Sequence, residues 1–522
     1  MQTAILVAFS FSILYVVQKL LEFWRAIRSI QNHPGYRTLL SPTGVVANFL
    51  PPTSGIAPGR NYLFINKHRM FEYFGSDIHS VISIWPKSLV TLNLADASAI
   101  KEVSSSRSRF PKPVHQYTVL TFFGRNIVAS EGDEWKKYRK ISAPAFNDKN
   151  NRMVWDETIK IMDSLFKDVW GNKPSITTDH CVEVTLPIAL FVIGAAGFGR
   201  EISWREDDSV PAGHQLTFKN ALHIVTTDIF LKLIIPDGAL GLTKRFRDVR
   251  LAFNELEQYM SEMIKERQSS VKKEARYDLF SSLLDANDMD VGEAKLSVSE
   301  LIGNIFIFLV AGHETTAHTL CFTFAMLALY QEEQEILYQH VTTVLSDGRT
   351  PTYEDMPLLT QSMAVFNETL RMFPPVTGIP KESAEDTTLT TTNADGEKTV
   401  VPVPKGANIM IDVPGLHYNP RYWEDPESFK PSRFLGDWPR DAFLPFSAGA
   451  RACLGRKFFE TEGIAILTML VSRYKIEIKE EPEFARETFE QKKSRVLNAR
   501  AGLTVTPIRV PLVFKLRDSK AG

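Results

Sequence analysis

The chain is 522 residues long and carries 60 basic against 61 acidic residues, so no charge excess marks nucleic acid as a partner of the whole. Its three cysteines, Cys181, Cys321 and Cys453, are widely spaced and odd in number. That pattern argues against a disulfide framework and a structural zinc site, and places the body of the chain in a reducing compartment.

Thr3 to Val17 is almost wholly apolar, and Met1 to Trp24 taken as one helix is long enough to cross a bilayer with Lys19 snorkelling to the headgroups. Arg25 and Arg28 follow at once, and this positive flank predicts that the remaining chain stays cytoplasmic. A cleaved secretory peptide is the rival reading. It is disfavoured because no basic stretch precedes the run and no small-x-small cleavage site follows it. Residues 1–24 are therefore expected to be a transmembrane anchor. Residues 25–60, dense in proline and glycine from Pro34 to Gly59, are expected to be a stiff irregular linker.

Beyond the linker, Leu89 to Leu94 is apolar and β-branched and predicts a strand, and Asp96 to Ser104 a short helix. Arg109 to Phe123 mixes prolines and aromatics without a period, as a loop over an apolar surface would. Trp135 and Arg139 then share one helical face, with Lys136, Lys137 and Lys140 beside them. By its residues alone this is equally an amphipathic helix with a basic outer face. The glycine run Gly194 to Gly199 lacks Gly-x-Gly-x-x-Gly spacing and a feeding strand, so helix packing explains it better than a nucleotide. Between Lys265 and Lys295 the chain is charged and poor in apolar residues, which predicts a solvated connection.

Ser297 and Glu300 form a Ser-x-x-Glu capping box ahead of the apolar run Leu301 to Val310. The helical pattern continues through Ala311-Gly312-His313-Glu314-Thr315-Thr316 towards Tyr330. A helix of this length is expected to cross the centre of the molecule. Gly312 removes bulk and Thr315 can bond back one turn, loosening the ladder. An acid and two hydroxyls among aliphatics are odd if packing is the helix's only task. His313 reads as a packed or solvated histidine.

Glu368 and Arg371 stand at i and i+3 on a helix that ends before Pro374. A surface ion pair is the plain reading. Asn367-Glu368-Thr369 also matches a glycosylation acceptor, which a buried cytoplasmic helix makes a false match. Thr399 to Val403 and Asn408 to Val413 predict strands, and Leu503 to Thr506 with Leu512 to Leu516 a C-terminal hairpin.

The last pattern runs Phe446-Ser447-Ala448-Gly449-Ala450-Arg451-Ala452-Cys453-Leu454-Gly455, followed by a helical pattern from about Leu454 to Leu470. A lone cysteine is more often a small buried hydrophobe. Here Gly449 and Gly455 allow positive φ and close approach to a flat macrocycle, and a helix start stabilises a thiolate. Random composition rarely produces Phe-x-x-Gly-x-Arg-x-Cys-x-Gly.

This loop resembles the haem-binding signature of the cytochrome P450 family, and the likeness extends from about Asn61 to the end, with the general look of fungal microsomal members. It implies a mainly α fold with small β-sheets, one domain spanning 61–522. It implies haem b (iron protoporphyrin IX) with Cys453 as axial thiolate and metal ligand, and a loop shaped by Phe446 and Gly449. Arg451, Arg139 and Trp135 are implied at the propionates. Lys381 falls where several relatives carry arginine, keeping the charge but losing the fork.

The family's oxygen-activation motif maps onto Gly312, Glu314 and Thr315, implying that Thr315 and Glu314 organise proton delivery. Its Glu-Arg-Arg cluster maps onto Glu368, Arg371 and Arg433, a structural brace. Phe122, Phe123, Ile307, Val310, Ala311, Val376, Ile379 and Leu503 are expected to shape the substrate pocket. The implied reaction is hydroxylation of a lipophilic small molecule, such as a terpenoid or other secondary metabolite, using O2 and electrons from an NADPH-dependent reductase at the endoplasmic reticulum membrane. A haem-thiolate isomerase or dehydratase working without O2, and a non-catalytic haem sensor, are the rivals.

Overall fold

A computed structural model describes the chain except for residues 43, 45–46, 48–49, 60, 172, 200–203, 205–209, 270–277, 289–294, 394 and 518–522. The helices that matter for the site are α1 (Gln2–Ser29), α2 (Ala97–Ser105), α3 (Gly132–Ser142), α4 (Val182–Val192), α5 (Phe218–Ile234), α6 (Lys244–Ser269), α7 (Val298–Leu329), α8 (Thr360–Met372) and α9 (Arg456–Arg473). The strands are β1 (Gly35–Leu40), β2 (Ile78–Trp85), β3 (Val90–Leu94), β4 (Ser175–Thr178), β5 (Gly378–Glu382), β6 (Thr387–Thr392), β7 (Lys398–Val403), β8 (Asn408–Asp412), β9 (Tyr474–Ile478), β10 (Ala499–Ala501), β11 (Val505–Pro507) and β12 (Leu512–Leu516). Contacts divide the chain into two units.

The first unit comprises Met1–Gln116, Val376–Ser428 and Pro439–Cys453. Its five-stranded sheet has the order β1-β2-β3-β8-β5, with β1 parallel to β2 and β3 parallel to β8. β3 is buried along its whole length, as expected of apolar and β-branched residues in an inner strand. The segment read as an irregular linker contains β1, whose Gly35 opposes Ser80 and whose Leu40 opposes Trp85. α1 runs past Trp24 to Ser29. From Ile5 to Ser29 its mean hydropathy is 1.7, with none of the window buried, so the helix is long and apolar enough to cross a membrane. α2 begins at Asp96, whose carboxylate accepts from the amides of Ser98 and Ala99 at 2.9 and 3.0 Å.

The second unit comprises Tyr117–Pro375, Phe429–Trp438 and Leu454–Gly522. α7 is its central helix and is buried along most of its length. It too is long and apolar enough for a membrane, but 78% of that window is covered by protein. The capping box forms in full: Ser297 Oγ accepts from the Glu300 amide and Glu300 accepts from the Ser297 amide at 2.7 Å. Glu300 also receives Lys137 Nζ at 2.5 Å and the Tyr138 hydroxyl at 2.7 Å, tying α3 to α7. Burial opposes ionisation of Glu300, yet these donors outweigh it and hold its pKa at about 2.

Glycines allow two close approaches that sequence reading did not single out. A Cβ on Gly303 of α7 would stand 2.6 Å from the Gly124 backbone, and one on Gly463 of α9 would stand 2.2 Å from the Phe366 ring of α8. The contact at Gly303 is locked by Ile127 N–H donating to Asn304 Oδ1 at 3.0 Å.

The C-terminal hairpin differs from the expected one. β10 pairs with β11, whereas β12 lies between β4 and β9 in a separate antiparallel sheet. Pro507 and Pro511 interrupt the run, and proline cannot donate to a ladder. Much of the connection expected between 265 and 295 lies outside the described residues.

Candidate active site

The cysteine loop belongs to the first unit. Its start is pinned where the Leu444 amide donates to Nε2 of the fully buried His417 at 2.8 Å, and its end where the Cys453 amide donates to the Phe446 carbonyl at 2.9 Å. Between them Gly449 has φ +66°, and a Cβ there would stand 2.4 Å from the Ser104 carbonyl at the end of α2. Glycine is required twice over, by φ and by space. The tight neighbour of Gly449 is backbone of α2. Gly455, unlike Gly449, does not use positive φ: at −82° it is the N-cap of α9, which starts at Arg456.

Cys181 and Cys321 are buried and Cys453 alone of the three is exposed, so it is the sulfur a ligand can reach. Arg451 is half-buried in the same loop. Phe446 is half-buried too, and Lys381 is buried in β5, 4% exposed, opposite Ile409 of β8.

The second unit carries α7. Beyond the first turn of this helix Ala311 is exposed, and Phe308, Gly312 and Thr315 keep part of their surface. The spacing i, i+3, i+4, i+7 makes one stripe of mostly small residues. The helix stays α-helical throughout, so the expected loosening of its ladder is not seen. Thr315 Oγ1 donates to the Ala311 carbonyl at 2.6 Å and Thr316 Oγ1 to the Gly312 carbonyl at 2.9 Å, as additions to an intact ladder. His313 is buried with Nδ1 2.9 Å from the Leu309 carbonyl, a packed histidine.

Glu314 is 7% exposed. Burial pushes its pKa up to about 7, with only the Thr226 hydroxyl of α5 opposing, and among the described residues its Oε2 has no hydrogen-bond partner. A second acid escaped sequence reading. Glu462 of α9 is fully buried, its Oε2 lies 3.3 Å from Thr316 Oγ1, and burial holds its pKa well above the carboxylate range. No local pattern announces it, because the partner is on another helix.

Glu368, Arg371 and Arg433 do meet. Arg371 is bidentate, its Nε and Nη2 donating to Glu368 at 2.7 and 2.9 Å; Arg433 Nε donates at 3.1 Å and the Lys430 amide at 2.9 Å. The surface-pair reading is excluded, since Glu368 and Arg371 are both fully buried. The cluster ties α8 to the 429–434 segment.

Of the expected pocket residues, Val376 and Ala311 are exposed, and Phe122, Ile379 and Leu503 are half-buried. Phe123, Ile307 and Val310 are buried, 8%, 4% and 3% exposed. Phe123 sits between Phe253 and Phe306, with ring centroids at 5.3 and 4.5 Å. Trp135 is buried and Arg139 half-buried on α3.

These residues fit a haem. The reachable thiol of the first unit is the donor chemistry that a haem iron takes.

The comparisons agree. The family model described as "Cytochrome P450" matches residues 55–501. "Cytochrome P450 monooxygenase 124" of Postia placenta is 55% identical over 504 residues, covering 96% of this chain and 97% of that one. "Cyclooctat-9-en-7-ol 5-monooxygenase" of Streptomyces melanosporofaciens is 30% identical over 68% of this chain and 73% of its own. The solved "cytochrome P450DA heme domain" superposes with a TM-score of 0.74, covering 93% of this chain and 98% of that chain at 20% identity, a likeness of fold. The reachable thiol, the matched model and the near-complete alignment together establish that the chain belongs to the cytochrome P450 family and is a haem-thiolate monooxygenase that uses O2.

Proposed function

We propose that the chain hydroxylates a lipophilic small molecule, a terpenoid or other secondary metabolite, with electrons passed from NADPH by a flavoprotein reductase. Cys453 would ligate the iron, and Arg451, Arg139 and Trp135, with Lys381 as the fourth candidate, would hold the propionates. When bound, the haem supplies oxygen activation and C–H oxidation.

The observation that carries the proposal is the Ala311–Gly312–Thr315 stripe beside buried Glu314. A carboxyl that titrates near 7 takes up and releases a proton at working pH. Thr315 spends its proton on the Ala311 carbonyl, so its oxygen is left as an acceptor. Glu314 and Thr315 are therefore assigned to proton delivery, and Glu368, Arg371 and Arg433 to structure. The exposed Lys140 and Lys457 suit an acidic reductase surface. Nearby, Lys136 pairs with Asp133 and Arg456 with Glu460. An exposed apolar α1 that carries Arg25 and Arg28 in its last two turns supports a single-pass anchor in the endoplasmic reticulum membrane, with the remainder cytoplasmic. The relative named for oxidising cyclooctat-9-en-7-ol supports an apolar, ring-bearing substrate class.

The test is co-expression with a reductase and a panel of terpenoids and aromatics, scored by mass spectrometry. NADPH-dependent products one oxygen heavier are expected, and Cys453→Ser should abolish the red-shifted Soret band of the reduced carbon monoxide adduct. Turnover without NADPH would favour the isomerase, and no NADPH consumption with any candidate would favour the sensor.

A further inference from the structure

The proposed reaction makes no use of His214, yet both of its ring nitrogens meet an acid. Nδ1 lies 2.8 Å from Glu255 Oε2 and Nε2 lies 2.9 Å from Glu262 Oε2. The His214 side chain is only 3% exposed. Both acids belong to α6, where Glu255, Tyr259 and Glu262 stand at i, i+4 and i+7 on one face. The imidazole lies flat on the Tyr259 ring between them, with centroids 3.7 Å apart and planes 2° from parallel.

This geometry selects a protonation state. A neutral imidazole has one N–H and one lone pair, and here the lone pair would face a carboxylate. The imidazolium donates to both acids. Burial by itself would lower the His214 pKa, but Glu262 and Glu255 outweigh it and raise it above the ordinary 6.5. The other groups around the pair are few and can be named. Gln258 donates to Glu262 Oε1 at 2.8 Å and holds that acid below its ordinary value, with burial opposing and His214 and Lys265 adding to the effect. From α5, Phe218 meets Tyr259 edge-on at 5.6 Å and brings no charge.

His214 lies in the segment that leads into α5. Two residues on, the Leu216 carbonyl accepts the Tyr259 hydroxyl at 2.8 Å, and Thr217 Oγ1 then caps α5 by accepting the Asn220 amide at 3.2 Å. The entry to α5 is thus tied to one face of α6 by a charged clamp and a hydroxyl. Further along α5 stands Thr226, the hydroxyl that acts on Glu314.

We propose that His214 is a proton-operated latch: charged, it fastens the 210–217 segment to α6 through Glu255 and Glu262, and neutral, it loses one of the two and frees the entry to α5. Below about pH 6.5 the imidazole is charged in the shut and the open form alike, so the latch holds in full. Above that value the open form loses its proton first. Opening then grows by up to roughly tenfold per pH unit, until the native imidazole titrates as well.

The test is hydrogen exchange read by mass spectrometry on the full-length, haem-loaded enzyme, following the amides of 214–222 from about pH 6 to 9 with intrinsic exchange rates divided out. In wild type, protection should be greatest at the acid end and fall as pH rises. His214→Gln should be weakly protected throughout, with no such fall. Glu262→Gln, which leaves one carboxylate, should move the fall to lower pH. Tyr259→Phe removes the hydroxyl alone and should lower protection while keeping its pH dependence. Wild-type protection that does not change with pH, or a fall that survives in His214→Gln, overturns the proposal. Should His214→Gln fail to fold, Glu262→Gln at its 48% exposed side chain decides, and an unshifted fall there counts against the latch.

Discussion

The second unit holds buried carboxylates in two opposite settings. Glu368, between α8 and the 429–434 segment, accepts from two guanidiniums and a backbone amide. Glu314 on α7 has the Thr226 hydroxyl and nothing charged, and Glu462 on α9 has the Thr316 hydroxyl. The first setting compensates a buried charge and holds irregular backbone. The second withholds compensation and raises the proton affinity of both acids, that of Glu314 to about 7. Burial alone therefore does not say what an acid does; its partners decide.

The largest expected effect comes from breaking the compensated setting. Arg371→Leu leaves Glu368 with one guanidinium, and the loss should be about 3 to 5 kcal/mol, read as a fall in the denaturation midpoint. A loss near zero would mean that the two settings do not differ.

Next comes the pH dependence of the uncompensated one. Between the unfolded value of 4.5 and about 7 the native Glu314 holds more protons than the unfolded chain. Its contribution to stability is therefore complete below about pH 4.5 and falls as pH rises through 7, by up to ~3 kcal/mol. Glu314→Gln should flatten that stretch of the stability curve and remove the corresponding limb of the activity profile.

Glu462→Gln should change stability by less than about 1 kcal/mol, since burial favours the neutral carboxyl and glutamine is its near-isostere. A loss as large as that of Arg371→Leu would place Glu462 among compensated charges. The smallest effect is expected from Thr226→Val. Removing the one hydroxyl that lowers Glu314 should raise its pKa by under about one unit, seen as a shift of the activity profile to higher pH.

Several features could be read directly because their causes are local. The capping box at Ser297 and Glu300 formed as spaced, and Asp96 capped the helix it precedes. Others depended on distant chain. β1 hid among prolines and glycines because its ladder is with β2, far along the sequence. The expected terminal hairpin does not form because β12 pairs with β4 and β9 and not with its sequence neighbour. Phe123, Ile307 and Val310 have the composition of pocket and of core alike, and only their neighbours separate the two.

The order of residues was enough to mark the haem-ligand loop, the thiolate candidate, the long α7 and the acid beside its threonine. Each is a short pattern whose chemistry is carried by adjacent residues. Tertiary structure alone decided that Glu314 titrates near 7, that Gly303 and Gly463 admit a neighbouring segment, and that Glu462 of α9 meets Thr316 of α7. Desolvation, close approach and charge pairing are sums over groups brought together from across the chain, and no local spacing encodes such a sum.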